Sequence, residues 1–367
     1  MLDARHDAAL AGSVQSPMRT PTPPTEDAAA KQAPLRIAAV IPAFRETQHV
    51  EGVLARFGTE VDRIYVVDDA CPDGTGRLVE SRCRDPRVRV LFHTTNRGVG
   101  AATVTGYAQA LADGADVVVK VDGDGQMNPS MIPRLVAPIA RGEADYVKGN
   151  RFHRLEGLRS MPLHRLLGNA VLSFVSKIST GYWNIFDPNN GFTALHAAVA
   201  RELPLDRLSP RFFFESDMLF HLNTIQAVVI DVPMAASYGD EESSLHSGRA
   251  VLEFSVKHLA NAFRRVFYNY YLRNFNVASL QILAGTLLLG FGTSFGALRW
   301  IQSERTGEVA TSGTVMLAAL SILVGVQLLL AFASYDMTSV PTRPIHPRLP
   351  SAAEPAEDLA PDARSTA

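Results

Sequence analysis

Between Arg36 and Gly149, short apolar runs alternate with segments whose apolar residues recur at helical spacing. Arg36–Ala43 (RIAAVIPA), rich in apolar residues and turned at Pro42, predicts a buried parallel strand. Similar runs are Asp62–Asp69 (DRIYVVDD), Val88–Phe92 (VRVLF), Asp116–Asp122 (DVVVKVD) and the shorter Asp145–Gly149 (DYVKG). Between them Glu46–Phe57, Gly74–Cys83, the Ala-rich Gly98–Asp113 and Met131–Arg141 read as helices. Such alternation predicts an α/β domain with a mainly parallel sheet. Ligands of these sheets bind beyond the carboxyl ends of the strands. Here those ends carry Pro42-Ala43, Asp68-Asp69 and Asp122-Gly123-Asp124, so polar residues converge where a ligand would sit.

The pattern changes towards the other end. Ala278–Leu298 and Thr314–Ala333 are almost wholly apolar, and each is about 20 residues, enough to cross a hydrocarbon layer of ~30 Å. A buried core helix is the alternative, but two such runs joined by a short polar loop favour a membrane hairpin. The preceding Lys257–Asn276 mixes Lys and Arg with Phe and Tyr, the composition of an amphipathic helix at a membrane surface. Its Lys257, Arg264, Arg265 and Arg273 predict a cytoplasmic flank.

Composition adds bounds. The 367 residues carry 35 Lys+Arg against 37 Asp+Glu, which argues against a chain-wide nucleic-acid footprint. Cys71 and Cys83 stand in no CxxC pair and near no histidine cluster, so neither a zinc site nor a disulfide framework is expected. Residues 1–34 are rich in Ala, Pro, Thr and Gln, lack a signal-peptide core, and read as a disordered tail. Pro341–Ala367, rich in Pro, Ala and acid, reads as a second one.

Asp122-Gly123-Asp124 follows an apolar strand, and its two carboxylates can share one hard divalent cation, Mg²⁺ or Mn²⁺, with substrate phosphate oxygens completing the shell. Such a cation neutralises charge growing on a departing diphosphate. A solvated turn is the plainer reading of D-x-D alone. Asp68-Asp69 ends another strand, where a carboxylate can bind a base or ribose hydroxyl; Asp73-Gly74 reads as a turn into the next helix. Asn96-Arg-Gly98-Val-Gly100 opens a helix, where backbone N–H groups favour anions. It is neither a Walker A loop nor G-x-G-x-x-G, which disfavours a dinucleotide enzyme.

The ordered set VIPAFRE (40–46), VVDDACPDGTG (66–76), NRGVGAA (96–102) and VDGDGQMNP (121–129) resembles the family 2 glycosyltransferases. The similarity is greatest to the dolichyl-phosphate mannose synthase and polyprenyl-phosphate glycosyltransferase group and extends over residues 36 to 245. It implies a Rossmann-like GT-A catalytic domain (35–248), amphipathic interface helices (249–276), a two-helix transmembrane hairpin (277–335) and a C-terminal tail (336–367). It also implies roles. Pro42, Ala43, Glu46, Asp68, Asp69, Asp122 and Gly123 would bind the nucleotide; Asp122, Asp124 and Gln126 would hold the metal. Gly149-Asn-Arg151 stands where the family has G-S-R, with Asn150 replacing Ser, and Arg151 would grip a phosphate with its planar fork. A surface salt bridge is the other reading of Arg151. Arg165 would be a second acceptor-phosphate ligand.

In Trp183–Phe192, Asp187, Asn189 and Asn190 would bind sugar hydroxyls, or simply form the turn that D-P-N-N-G favours. Glu215 and Asp217 occupy the place of the family's E-D motif, which supplies a base for hydroxyl acceptors; a phosphate acceptor is already ionised, so these residues would orient the site. Tyr238–Ser244 resembles a loop closing over the donor. The resemblance thus implies an inverting enzyme that uses a UDP- or GDP-sugar and a polyprenyl phosphate. It would lie in a bacterial inner membrane with its catalytic domain cytoplasmic, and a homo-oligomer is compatible. The rivals are a glycan or glycolipid acceptor, disfavoured by the absence of Q-x-x-R-W, and a silent nucleotide-sugar binder, disfavoured by the intact Asp122, Asp124 and Gln126.

Overall fold

The computed structural model describes residues 34–153, 163–234 and 248–350. The first five strands fall where the apolar runs predict: β1 (Ile37–Ala43), β2 (Arg63–Asp68), β3 (Val88–Phe92), β4 (Val117–Lys120) and β5 (Tyr146–Asn150). Four short helices intervene: α1 (Val50–Leu54), α2 (Thr75–Arg82), α3 (Val99–Ala112) and α4 (Ile132–Ala140). α1 is shorter than the Glu46–Phe57 pattern suggests. Then come α5 (Leu163–Thr180), β6 (Thr193–His196), α6 (Ala197–Glu202), α7 (Phe214–Thr224) and β7 (Val229–Pro233).

The sheet has seven strands in the order β3-β2-β1-β4-β6-β5-β7. All neighbours run parallel except β6, which is antiparallel to both β4 and β5. β1 is buried along its whole length between β2 and β4, which is why it reads as a continuous apolar run. Its side chains alternate between two core layers: Ala39 and Ile41 pack with Val53, Ile64 and Ile132, and Ala38 and Val40 with Tyr65, Tyr107 and Val118.

After the sheet come α8 (Gly248–Phe267), a π-helical turn (Tyr268–Arg273), α9 (Val277–Thr306) and α10 (Ser312–Thr338). α8 is inverted relative to a helix on a soluble domain. Leu252, Val256, Leu259, Phe263 and Phe267 form an exposed stripe, whereas His258, Asn261 and Arg265 are buried. Burial pushes the His258 imidazole down to about 4, and its Nδ1 meets Ser179 Oγ at 2.8 Å. α9 and α10 are long and apolar enough to cross a membrane. They pack closely through glycines: a Cβ at Gly325 would lie 2.7 Å from Leu289 N, and one at Gly292 2.8 Å from Ile322 Cγ1. Their outward faces expose Leu283, Leu287, Leu320, Leu323 and Leu330.

Two expectations need correction. Arg265, counted among the basic residues of the cytoplasmic flank, is buried and forms a bidentate pair with Asp336, Nη1 to Oδ1 at 2.6 Å and Nη2 to Oδ2 at 3.0 Å. The start of the expected C-terminal tail, residues 336–350, is docked rather than loose. Asp336 is buried in α10, and beyond that helix the backbone N–H groups of Ile345 and His346, with His346 Nδ1, all donate to the buried Asp145 carboxylate at 2.8–3.0 Å. Burial works to raise the Asp145 carboxyl, but these bonds hold it below its ordinary value. Leu349 and Ile345 pack on the core, and the His346 ring stacks on His196 at 4.3 Å. The expected tails over residues 1–33 and 351–367, and the Tyr238–Ser244 loop, lie outside the described residues.

Candidate active site

Of the predicted residues, Pro42, Ala43, Asp68, Asp69 and Asp122 lie at the carboxyl ends of β1, β2 and β4. Lys120, the last residue of β4, points the same way as Asp122 because strand side chains repeat every second residue. The fully buried Lys120 Nζ lies 2.6 Å from Asp122 Oδ1 and 3.1 Å from Glu215 Oε1 at the start of α7. Burial disfavours its charge, yet the two carboxylates hold the ammonium above its ordinary value. The D-x-D turn is closed by Gln126 N, which donates to Asp124 Oδ1 at 2.9 Å, and by Asp122 N, which donates to Met127 Sδ at 3.2 Å. Glu46 lies over this turn: a Cβ at Gly123 would be 3.1 Å from Glu46 Cγ. From the other side comes the D-P-N-N-G turn. A Cβ at Gly191 would overlap Asp122 Oδ2 and lie 2.5 Å from Lys120 Nζ, so a side chain here would push these two groups from their places.

Among the described residues no group of three or more His, Cys, Asp or Glu side chains forms a complete metal cage. Two carboxylates on one turn suit a hard cation that takes its remaining ligands from substrate phosphate. Asp122 keeps about a quarter of its side-chain surface exposed, at 28 %, and so presents an oxygen-rich, partly open face. Asp122 and Asp124 therefore fit Mg²⁺ or Mn²⁺ in donor chemistry.

Asp68 and Asp69 are buried and serve the protein itself. Asp68 accepts from Cys71 N at 2.7 Å and Gly76 N at 2.6 Å, fixing the turn into α2. Asp69 accepts from His93 Nδ1 at 2.6 Å, Arg97 N at 2.8 Å and Gly98 N at 2.6 Å. The Asn96–Gly100 loop was expected to offer amides to a bound anion; the anion it holds is the Asp69 carboxylate. Gly98 accepts this with φ +99°, a backbone open to glycine.

Asp217 also departs from its expected place. Its Oδ2 accepts from Ser209 N at 2.8 Å and its Oδ1 from Asn261 Nδ2 at 3.1 Å, so it fastens α8 to α7 and lies apart from the Lys120 cluster. Only Glu215 of the pair joins the site.

Beyond β5, Arg151 makes a fork with Asp187, Nε to Oδ2 at 2.8 Å and Nη2 to Oδ1 at 3.1 Å, and keeps a third of its side chain exposed, at 33 %. Asn190 Nδ2 donates to Gly149 O at 2.7 Å, and Lys148 Nζ donates to Asn190 O at 2.7 Å. Asp187 and Asn190 thus hold the turn and aim Arg151, while Asn189 Oδ1 accepts from Ser216 Oγ at 3.4 Å. Burial pushes Lys148 down to about 8, with Glu215, Asp187 and Asp231 opposing the fall. Asp231 lies behind this group; burial raises it to about 6. Arg165 lies on α5, and its side chain is outside the described residues.

Residues 38–203 match the glycosyl transferase family 2. The undecaprenyl-phosphate mannosyltransferase of Micrococcus luteus is 32% identical over 228 residues, 60% of this chain and 92% of that protein. The chain belongs to the family 2 glycosyltransferases. It is also similar to the UDP-N-acetylglucosamine–dolichyl-phosphate N-acetylglucosaminyltransferase of Methanococcus voltae, at 28% identity over 227 residues, covering 58% of this chain and 89% of that one. The polyprenol monophosphomannose synthase of Mycolicibacterium smegmatis is 28% identical over 237 residues, covering 63% and 89%.

In this glycosyltransferase, sequence reasoning passed over Lys120, Lys148, His93 and Asp231. Lys120 and Lys148 had a signal: each is a lone charge inside an apolar strand run, and Lys120 stands two residues before Asp122 on the same strand face. His93 and Asp231 had none, because their partners Asp69 and Phe186 N are distant in sequence.

Proposed function

We propose that this glycosyltransferase moves a hexose from a UDP- or GDP-sugar to a polyprenyl phosphate while anchored in a membrane. The observation that carries the reading is the likeness to the M. luteus undecaprenyl-phosphate mannosyltransferase across nearly all of that protein's length. The outward apolar stripe of α8 and the exposed leucines of α9 and α10 support it, since they suit contact with lipid rather than water. The basic flank of α8 favours a cytoplasmic catalytic domain, and the Ala/Arg-rich composition favours a bacterial inner membrane. The M. luteus relative is a mannosyltransferase and the M. voltae relative an N-acetylglucosaminyltransferase, so donor choice is for experiment to decide.

In this reading Asp122 and Asp124 hold Mg²⁺ or Mn²⁺, which when bound offsets charge on the diphosphate. Lys120 fixes the Asp122 rotamer and ties it to Glu215. Arg151, aimed by Asp187, holds the acceptor phosphate, with Arg165 as a second cation. An oxygen of that phosphate, already ionised, attacks the anomeric carbon. The new carbon–oxygen bond forms as the bond to the donor diphosphate breaks, and the nucleoside diphosphate leaves. Attack opposite the leaving group inverts the anomeric centre. Glu215 needs to take no proton, which accords with its pairing to a buried lysine.

The test is transfer by the purified protein in detergent, with polyprenyl phosphate, Mg²⁺ or Mn²⁺ and a panel of labelled UDP- and GDP-sugars. Label should enter the organic phase with one donor and be lost with chelator or in Asp124→Ala. Label confined to water-soluble product would overturn the lipid-phosphate acceptor.

A further inference from the structure

Where α9 begins and α10 ends, the structure forms a half-open cavity of about 460 Å³. It is separate from the active site. Glu215 stands at the start of α7 and Asn223, in the cavity wall, near its end, a separation of ~12 Å along the helix. The wall contains Arg265, Arg273, Arg343 and Arg348 against a single carboxylate, Asp336. Arg265 is already matched to Asp336, so Arg273, Arg343 and Arg348 leave the cavity electropositive.

Two buried polar atoms in this wall lack partners: Arg265 Nε, on a residue 3% exposed, and Asn269 Oδ1, on a residue 8% exposed. A buried donor or acceptor left without a partner is costly, so such atoms point to a missing ligand or water. Arg273 is exposed on the cavity wall and reaches the Thr224 carbonyl at 3.0 Å. Guanidinium groups around a polar hollow suit phosphate, whose oxygens accept paired N–H bonds. A phosphate group supplies acceptors for the Arg273, Arg343 and Arg348 guanidiniums of the wall.

We propose that this cavity binds a phosphate group at the membrane boundary, separately from the sugar-transfer site. Asn276, the N-cap of α9, and Asp336, in the last turn of α10, both lie in its wall, so the cavity sits at one end of the apolar hairpin. A lipid headgroup phosphate and a free phosphate share this chemistry. The lipid source rests on the membrane reading given above; the site itself does not.

The full chain in detergent is titrated with phosphatidylglycerol or phosphatidylcholine and read by native mass spectrometry. In parallel, inorganic phosphate is titrated with thermal unfolding as readout. The same runs use Arg343→Gln/Arg348→Gln and Arg343→Lys/Arg348→Lys; both arginines are exposed, so the fold survives their replacement. Phosphatidylglycerol should be retained about tenfold more tightly than phosphatidylcholine, and the double Gln variant should lose about that factor while the double Lys variant keeps most of it. Stabilisation by inorganic phosphate, lost in the double Gln variant and without selective lipid retention, assigns the site to a soluble phosphate. Equal retention of the two lipids, with no phosphate stabilisation that depends on the arginines, overturns the proposal. None of these readouts requires sugar transfer, so the outcome is independent of the acceptor assay.

Discussion

Trp183 Nε1 donates a hydrogen bond to Asp336 Oδ2 at 2.9 Å, joining the loop that leads to Asp187 with the last turn of α10. The same carboxylate accepts from Arg265 and from Tyr270 Oη, the latter at 2.7 Å. The loop that leads to Asp187, the interface helix and the hairpin therefore meet at one buried acid. Asp336→Asn leaves Arg265 buried without a counter-charge, a loss of about 3–5 kcal/mol. Trp183→Phe removes one hydrogen bond, about 1 kcal/mol. Thermal unfolding in detergent should rank the variants wild type, Trp183→Phe, Asp336→Asn in falling order. An Asp336→Asn protein as stable as wild type would show that the cluster does not hold the hairpin to the domain.

Lys120 separates two carboxylates, Asp122 and Glu215, that would otherwise face each other. Lys120→Met removes the cation, and the like charges then push Asp122 from its place. With Asp122 holding the metal as proposed, displacing its carboxylate by about an ångström lowers kcat roughly 10²-fold. Steady-state kinetics with varied Mg²⁺ should show the fall in kcat together with a raised metal requirement. Unchanged kcat and metal dependence would detach Lys120 from the chemistry.

The strands β1 to β5 were legible because buried parallel strands are nearly continuous apolar runs, bounded here by Pro42, Asp68 and Asp122. β6 and β7 were not: Thr193–His196 and Val229–Pro233 are short and mixed, and their identity comes from the antiparallel pairing of β6 with β4 and the parallel pairing of β7 with β5. The D-x-D turn and Arg151 were legible as residue types at strand ends. Asp69 and Asp217 show the limit of that reasoning. A carboxylate beside a helix N-terminus has the same sequence whether it meets a nucleotide or its own backbone. Only the fold brings Gly98 N to Asp69 and Asn261 to Asp217. The docking of His346 escaped for a similar reason, since its anchor, Asp145, is on a different element far along the chain.

Arg151 and Asp187 form a planar two-bond fork, which lysine cannot reproduce. Arg151→Lys keeps the charge but loses the aim, so the KM for polyprenyl phosphate should rise about tenfold while the donor KM changes little. Asp187→Asn frees the guanidinium from its guide and should move the same KM in the same direction. Varying acceptor at saturating donor separates the two constants. A rise confined to the donor KM would place Arg151 on the diphosphate instead.

Asp231 provides a test of pH-linked stability. Its Oδ2 accepts from Phe186 N at 2.6 Å, while its Oδ1 is buried without a partner. Burial raises the carboxyl from 3.8 to about 6, with Lys148 working against the rise. A raised acid binds its proton more tightly in the folded state than in the unfolded one. Between pH 3.8 and about 6 the folded protein therefore holds the extra proton, and stability falls as pH rises through this window. Above it the full cost of burying the charge persists, at most about 3 kcal/mol. Asp231→Asn mimics the protonated acid, so variant and wild type should unfold at similar temperatures near pH 3.8. The variant should gain progressively up to about pH 6 and keep a constant lead above it. Thermal unfolding of both proteins across this range measures the difference directly, and because other titrating groups are common to the two proteins they cancel to first order. A lead that shrinks with rising pH would reverse the sign and place a stabilising cation, rather than desolvation, in control of Asp231.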